Sequence, residues 1–403
     1  MTLNTRPKRN VKPTISKDSK KVLITLSQKE KEFIDSLGEV EVNKIVEIFK
    51  KNTDEPKPIR ISVLTSSLPD EIKLRYFNTI PYNDSDKYLS LVRSSMEIPF
   101  SKSITHSTKN FKRFLDNANK IMDKHITGNY ESKREVLKLL CKWKNGSDSN
   151  TYAIGLEGSP GTGKTTFVKR AFSEATTLPL VYIGLGGCQD SSFLLGSSYT
   201  YEGSTYGRLA GGLIETKCCN PIFFFDELDK VSSSPKGDEI INVLIHLIDV
   251  SQNSHIRDKY FNFDIDFSKC IFVFSYNDPE KISPVLLDRI KRIRVETPNN
   301  EEKLDIMVKN IIPKYMENNN FSFEEEALKF ILKKNQEQTG LRSIEKDIEH
   351  VTSCFHLYKT YGSASILGLE EMHNSKKVIT FEFVKKLLKS NNEYTNHTNM
   401  MYM

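Results

Sequence analysis

Between an apolar run, Tyr152 to Leu156, and an amphipathic stretch reaching Ala175, the chain reads Gly158-Ser159-Pro160-Gly161-Thr162-Gly163-Lys164-Thr165. No other segment constrains the fold as much. Three glycines within six residues let the backbone turn back on itself, and a loop of this form requires a buried strand before it and a helix after it. In that context its amides curl round phosphates, Lys164 reaches the β and γ phosphates, and the Thr165 hydroxyl ligates Mg²⁺. The other reading is a glycine-rich turn. A second motif argues against it: Ile222-Phe223-Phe224-Phe225-Asp226-Glu227, an apolar run that delivers two carboxylates at its end. Asp226 is expected to hold Mg²⁺ through its water shell and Glu227 to polarise an attacking water as general base.

Unbroken apolar runs recur at Tyr152–Leu156, Leu180–Ile183, Ile222–Phe225, Cys270–Phe274 and Ile293–Val295, separated by amphipathic stretches. Runs of this length fit strands covered on both faces, so the expectation is an α/β fold with a parallel sheet and helices on both sides. Around it we expect a disordered basic tail (1–21), a mainly helical N-terminal domain (22–110), the α/β domain with a leading helical linker (111–298), a small helical lid (299–390) and a flexible tail (391–403). Ser27-Gln28-Lys29-Glu30 reads as a capping box, Ile59 to Leu64 as extended chain, and Asp70 to Met96 as mostly helical. Lys377–Thr380 and Phe381–Lys389 are the expected last strand and helix.

Charge sharpens the choice of partner. The formal net charge is +6, and residues 1–21 carry seven basic residues against Asp18, while the other 382 residues balance at 51 basic and 51 acidic. Nucleic acid is therefore expected to be met only through the tail. No run approaches the roughly 18 apolar residues that span a bilayer, so a membrane role is not expected. The six cysteines form no CxxC pair and suggest reduced thiols. A cytosolic location is expected, with the nucleus as the alternative through Arg6-Pro7-Lys8-Arg9.

From about Tyr88 to Ser390 the sequence resembles the AAA+ ATPases, and within them the ATPase module of the Lon protease family. The resemblance is carried by Leu185-Gly186-Gly187, Thr200-Tyr201-Glu202-Gly203, Asp226-Glu227-Leu228-Asp229-Lys230, Asp249 to Asn253 with Asp258-Lys259-Tyr260, Leu286-Leu287-Asp288-Arg289 and Thr339-Gly340-Leu341-Arg342. It implies a P-loop AAA+ fold with a helical lid, ATP and Mg²⁺ as ligands, and a homo-oligomeric, hexameric ring acting on protein. It further implies that Asn277 is the sensor that positions the attacking water, Arg289 the arginine finger offered to a neighbouring subunit, and Arg342 the lid sensor of the γ phosphate. Each has a plainer alternative: Asn277 as a turn residue before Pro279, Arg289 as part of a solvated basic face, Arg342 as the start of a helix. Tyr201 resembles the aromatic of the family's pore loop, and Glu202 stands where an aliphatic residue is usual.

About a dozen residues follow the expected last helix, against the roughly 200 that a protease domain takes. Peptide cleavage by this chain is not expected, and a separate peptidase would have to supply it. The expected function is an ATP-hydrolysing remodeller of proteins. The alternatives are an ATPase acting on nucleic acid and a regulatory protein that binds ATP without mechanical work.

Overall fold

The computed structural model describes residues 58–83, 85–105, 110–144, 152–188, 190–231, 233–316, 321–361 and 377–388. The basic tail, the capping box at Ser27 and the C-terminal tail lie outside them. Two compact units result: residues 58–66 with 70–83, and residues 67–69 with the described chain from 85 onward.

In the first unit, α1 (Ile59–Thr65) and α2 (Asp70–Thr79) pair. The expectation of extended chain from Ile59 to Leu64 is corrected here. Pro58 stands at the N-cap, where its missing N–H costs nothing, and the β-branched run after it becomes a helix that buries Val63. The guanidinium of Arg60 lies 3.8 Å from the centre of the Phe77 ring and its Nε donates to Phe77 O at 3.1 Å. These contacts replace the alternation that a strand would have used.

The second unit begins with α3 (Asp86–Met96), followed by α4 (Phe111–His125) and α5 (Tyr130–Lys144). Residues between α3 and α4 are pinned to the body: Cys219 N donates to Lys102 O at 2.8 Å, and Asn220 exchanges two hydrogen bonds with the Ile104 backbone. Next come β1 (Tyr152–Glu157) and α6, a helix running from Lys164–Thr166 through a π-helical turn, Phe167–Phe172, to Ser173–Thr176. Then follow β2 (Leu180–Gly184), α7 (Arg208–Thr216), β3 (Ile222–Asp226) and α8 (Pro235–Ile248). A short antiparallel hairpin of β4 (Ile256–Asp258) and β5 (Phe263–Ile265) precedes β6 (Ile271–Tyr276), α9 (Pro284–Arg289) and β7 (Lys291–Arg294).

The main sheet has the order β2-β3-β6-β1-β7, and every pairing in it is parallel. Both central strands, β3 and β6, are buried on each face, which is why their sequences are continuous apolar runs rather than alternating ones. One face carries Ile222, Phe224, Ile271 and Val273 against Met122 of α4, Leu139 and Leu140 of α5 and Phe172 of α6. On the other, Phe223, Phe225, Phe272 and Phe274 stack on one another at centroid distances of 5.1 to 6.5 Å. The leading helices thus form one layer of the α/β sandwich.

The lid follows: α10, beginning at Asn300–Ile306 and continuing through a π turn to Met316, then β8 (Ser322–Phe323), α11 (Glu325–Lys334), α12 (Arg342–Tyr361), β9 (Val378–Ile379) and α13 (381–388). Its own core gathers Ile331, Ile344, Ile348, Val351, Phe355 and Phe383. Asn299 and Glu302 close a capping box that starts α10 just after Pro298. Among the described residues no helix is long and apolar enough to cross a membrane.

Candidate nucleotide-binding site

Strand β1 ends at Glu157, whose carbonyl accepts from Val295 N at 2.7 Å, and the chain then enters the glycine-rich loop. Gly161 (φ +77°) and Gly163 (φ +94°) take left-handed backbone angles that a side chain would strain. This lets the loop close before Phe167 N bonds Gly163 O and the helix begins. A cavity of about 380 Å³ opens over the loop, lined on one side by the sheet's C-terminal ends and on another by the lid.

Lys164 points into that cavity and is 8% exposed. Its Nζ donates to Gly158 O at 2.6 Å, Ser159 O at 3.0 Å and Asn277 Oδ1 at 2.8 Å, so all three of its donors are used. Burial pushes the Lys164 pKa down, and the carboxylates of Asp226 and Asp229 pull against it. The Asp229 side chain is 1% exposed, with Lys230 Nζ at 3.9 Å.

Asp226 and Glu227 leave the end of β3 in different directions. Asp226 Oδ2 accepts from Thr165 Oγ1 at 3.2 Å and from the Tyr182 hydroxyl at 3.3 Å, while Oδ1 accepts from Ser275 Oγ. Burial, then Asp226 itself, pushes the Tyr182 phenol upward. Glu227 adopts φ +61°, its N–H donates to Ser275 Oγ at 3.3 Å, and its side chain is exposed. A Cβ on Gly186 would lie 2.6 Å from Glu227 Oε2, so the glycine leaves room for the carboxylate. Hard oxygens from Thr165 and Asp226, side by side next to a cationic amine, fit a hydrated Mg²⁺ held beside phosphates.

The structure brings the glycine-rich loop, Asp226, Glu227, Asn277 and Arg342 to this one cavity. The lid is tied directly to the loop: Leu341 N donates to Gly161 O at 3.0 Å, and Arg342 follows as the first residue of α12. Arg289 lies elsewhere. It ends α9, is partly exposed, and its Nη1 meets Asp249 Oδ2 at 2.5 Å. The Ser251 hydroxyl and amide, then Arg289, hold the Asp249 carboxyl below its usual range. Tyr201 sits on an outward turn, 69% exposed, with Glu202 exposed beside it.

Some lining residues escaped the sequence reading. His125, which ends α4, and Ile126 and Thr127 after it line the cavity together with Ile306 and Asn310 of the lid, and Asn310 Nδ2 donates to His125 O at 3.2 Å. No fixed spacing marks them. Ser275 is another omission, and its signal is its place: a hydroxyl within an otherwise apolar strand, beside the carboxylate strand.

Residues 154–297 match the family model of the AAA ATPases, the ATPase family associated with various cellular activities. The Lon protease homolog of Acanthamoeba polyphaga mimivirus is 33% identical over 278 residues, which is 67% of this chain and 27% of that protein. The chain carries an AAA module of the Lon type. The Lon protease of Mycoplasma genitalium is 28% identical over 396 residues, 95% of this chain and 47% of that one. The chain thus spans less than half the length of these Lon relatives. Among solved structures, Hsp104 in its closed state with ATPγS and FITC-casein superposes with a TM-score of 0.55 at 16% identity, over 77% of this chain and 58% of that one. The Lon-type module therefore shares its fold with Hsp104.

Proposed function

We propose that the module binds ATP with Mg²⁺, hydrolyses it, and uses the cycle to remodel protein substrates in a ring of identical subunits. The observation that carries this is the convergence of Lys164, Asp226, Glu227, Asn277 and Arg342 on one cavity above a glycine-rich loop. The three donors of Lys164 now rest on two carbonyls and Asn277, and phosphate oxygens would replace these partners at little reorganisation cost. Thr165 and Asp226 would hold Mg²⁺, which neutralises phosphate charge when bound. Glu227 takes the proton of the attacking water at its exposed carboxylate, Asn277 orients that water, and Arg342 reads the γ phosphate from the lid. The Leu341–Gly161 hydrogen bond makes lid position and phosphate position one variable.

Arg289, outside its own cavity, would serve a neighbour's nucleotide, which requires a ring, a hexamer by likeness to the family. Tyr201 offers a large apolar face with few rotors to immobilise, suited to gripping extended polypeptide, and Glu202 adds a charge that weakens the grip on apolar segments. Peptide hydrolysis is assigned to none of the described residues; a separate peptidase would act on what the ring delivers.

The test is ATP-dependent unfolding of a tagged fluorescent protein. Fluorescence should fall only with hydrolysable ATP, the substrate should keep its full mass, and Tyr201→Ala should keep ATP hydrolysis while losing unfolding. Peptide fragments would mark a peptidase. Unchanged unfolding by Tyr201→Ala would remove that residue from the substrate path.

A further inference from the structure

The turn that presents Tyr201 holds itself together weakly. Tyr201 N donates to Ser198 O at 3.1 Å, Ser204 N to Tyr201 O at 3.3 Å, and Gly203 takes φ +73°. Residues 200–203 are exposed throughout, so few buried contacts fix their backbone. A loop so built would fluctuate, and a pulling residue on a slack loop transmits little force.

The missing support comes from more than a hundred residues earlier in the chain. From the first turn of α3, Lys87 Nζ donates to Tyr201 O at 2.7 Å and to Thr200 O at 3.3 Å. The next residue, Tyr88, is buried and its ring lies 6.5 Å from that of Tyr199. Two successive residues of one helix thus engage three successive residues of the turn. The helix is itself fixed: Ser85 caps it, Leu91 and Val92 are buried, and the segment after it is bound to the body through Lys102 and Ile104. An ammonium clamping consecutive carbonyls fixes the backbone while leaving the Tyr201 ring free at the surface.

Resting on the proposed role of Tyr201, we propose that Lys87 is a positioning residue for substrate grip. It makes α3 the brace of the turn, so that residues N-terminal to the α/β body set how stiffly the turn pulls. Neither Lys87 nor Tyr201 lines the nucleotide cavity, so ATP chemistry does not depend on this brace.

The experiment compares Lys87→Met, which keeps the apolar stem and removes the donors, with Lys87→Arg, which keeps charge and donors. Amide hydrogen exchange in residues 196–207 should speed up about threefold or more in Lys87→Met and stay near wild type in Lys87→Arg, as expected for loss of a partly exposed charge-assisted hydrogen bond. Lys87→Met should hydrolyse ATP at the wild-type basal rate and unfold the tagged substrate several-fold more slowly, with Lys87→Arg restoring the rate. Unchanged exchange in Lys87→Met would overturn the inference. So would faster exchange with full unfolding activity, provided Tyr201→Ala is inactive. If Tyr201→Ala also unfolds normally, the assignment of Tyr201 falls, and the role of Lys87 with it.

Discussion

Replacing Gly340 by alanine tests the coupling of lid and phosphate loop with a single methyl group. A Cβ there would lie 2.3 Å from Pro160 O and 2.9 Å from Gly161 Cα, where ordinary contact begins at 3.4 Å. The obstacles are backbone atoms, so relief needs a relative shift of loop and lid of about 1 Å. Forcing an extra methyl into a packed contact costs roughly 1–3 kcal/mol, and losing the Leu341–Gly161 hydrogen bond costs about 0.5–1.5 kcal/mol. Arg342 lies two residues further on and moves with the lid, and a displacement of about 1 Å at a reacting centre is worth on the order of 10² in rate. Gly340→Ala should therefore cut ATP turnover by about that factor while fluorescent-nucleotide binding weakens by much less. The lid core, built on Ile344, Ile348 and Val351, is untouched, so the protein should still fold, with thermal unfolding lowered by roughly several degrees in keeping with that cost. Gly187→Ala is the control, because a Cβ there meets nothing within 4 Å. A folded Gly340→Ala protein with wild-type turnover would refute the coupling.

Lys164→Ala should abolish tight ATP binding, whereas Glu227→Gln, which leaves the loop and its amine intact, should bind ATP and hold it unhydrolysed; filter binding and single-turnover hydrolysis separate them. Arg289→Ala should bind ATP normally and lose roughly 10³-fold or more in hydrolysis, and mixing it with Lys164→Ala subunits should recover part of the activity. Burial pushes the Asp258 carboxyl up to about 6, although the N–H groups of Gly207, Phe261 and Tyr260 pull it down. The folded state thus holds a proton that the unfolded state releases near pH 4. Its contribution, on the order of 3 kcal/mol, is present below pH 4 and lost as pH rises through 6. Asp258→Asn should remove this loss, so the variant should gain stability relative to wild type as pH rises from 4 to 7 in thermal melts.

What was legible in the sequence followed from how local its cause was. The glycine-rich loop is defined by backbone angles that only its own residues permit, and β3 and β6 announce themselves because two-sided burial leaves no polar positions to interrupt the run. Lid helices were equally plain, since their apolar spacing serves one small core. Ile59 to Leu64 misled because β-branched alternation outweighed a proline in N-cap position. The β4–β5 hairpin has three-residue strands, too short for periodicity, and depends on Asn262 at φ +55°. Pairings made through space were not legible: Ser275 beneath Asp226, Asn310 against His125, and Asp249 holding Arg289 are joined by tertiary packing that no spacing encodes.

The most direct measurement is ATP turnover by the purified 403-residue chain with Mg²⁺, alone, with a permanently unfolded protein, and with DNA. We predict steady hydrolysis that rises with unfolded protein, does not respond to DNA, and disappears in Glu227→Gln. Turnover absent from a folded, ATP-bound protein, or equal in Glu227→Gln, would contradict the hydrolytic role of the cavity, and stimulation by DNA alone would contradict protein as its substrate.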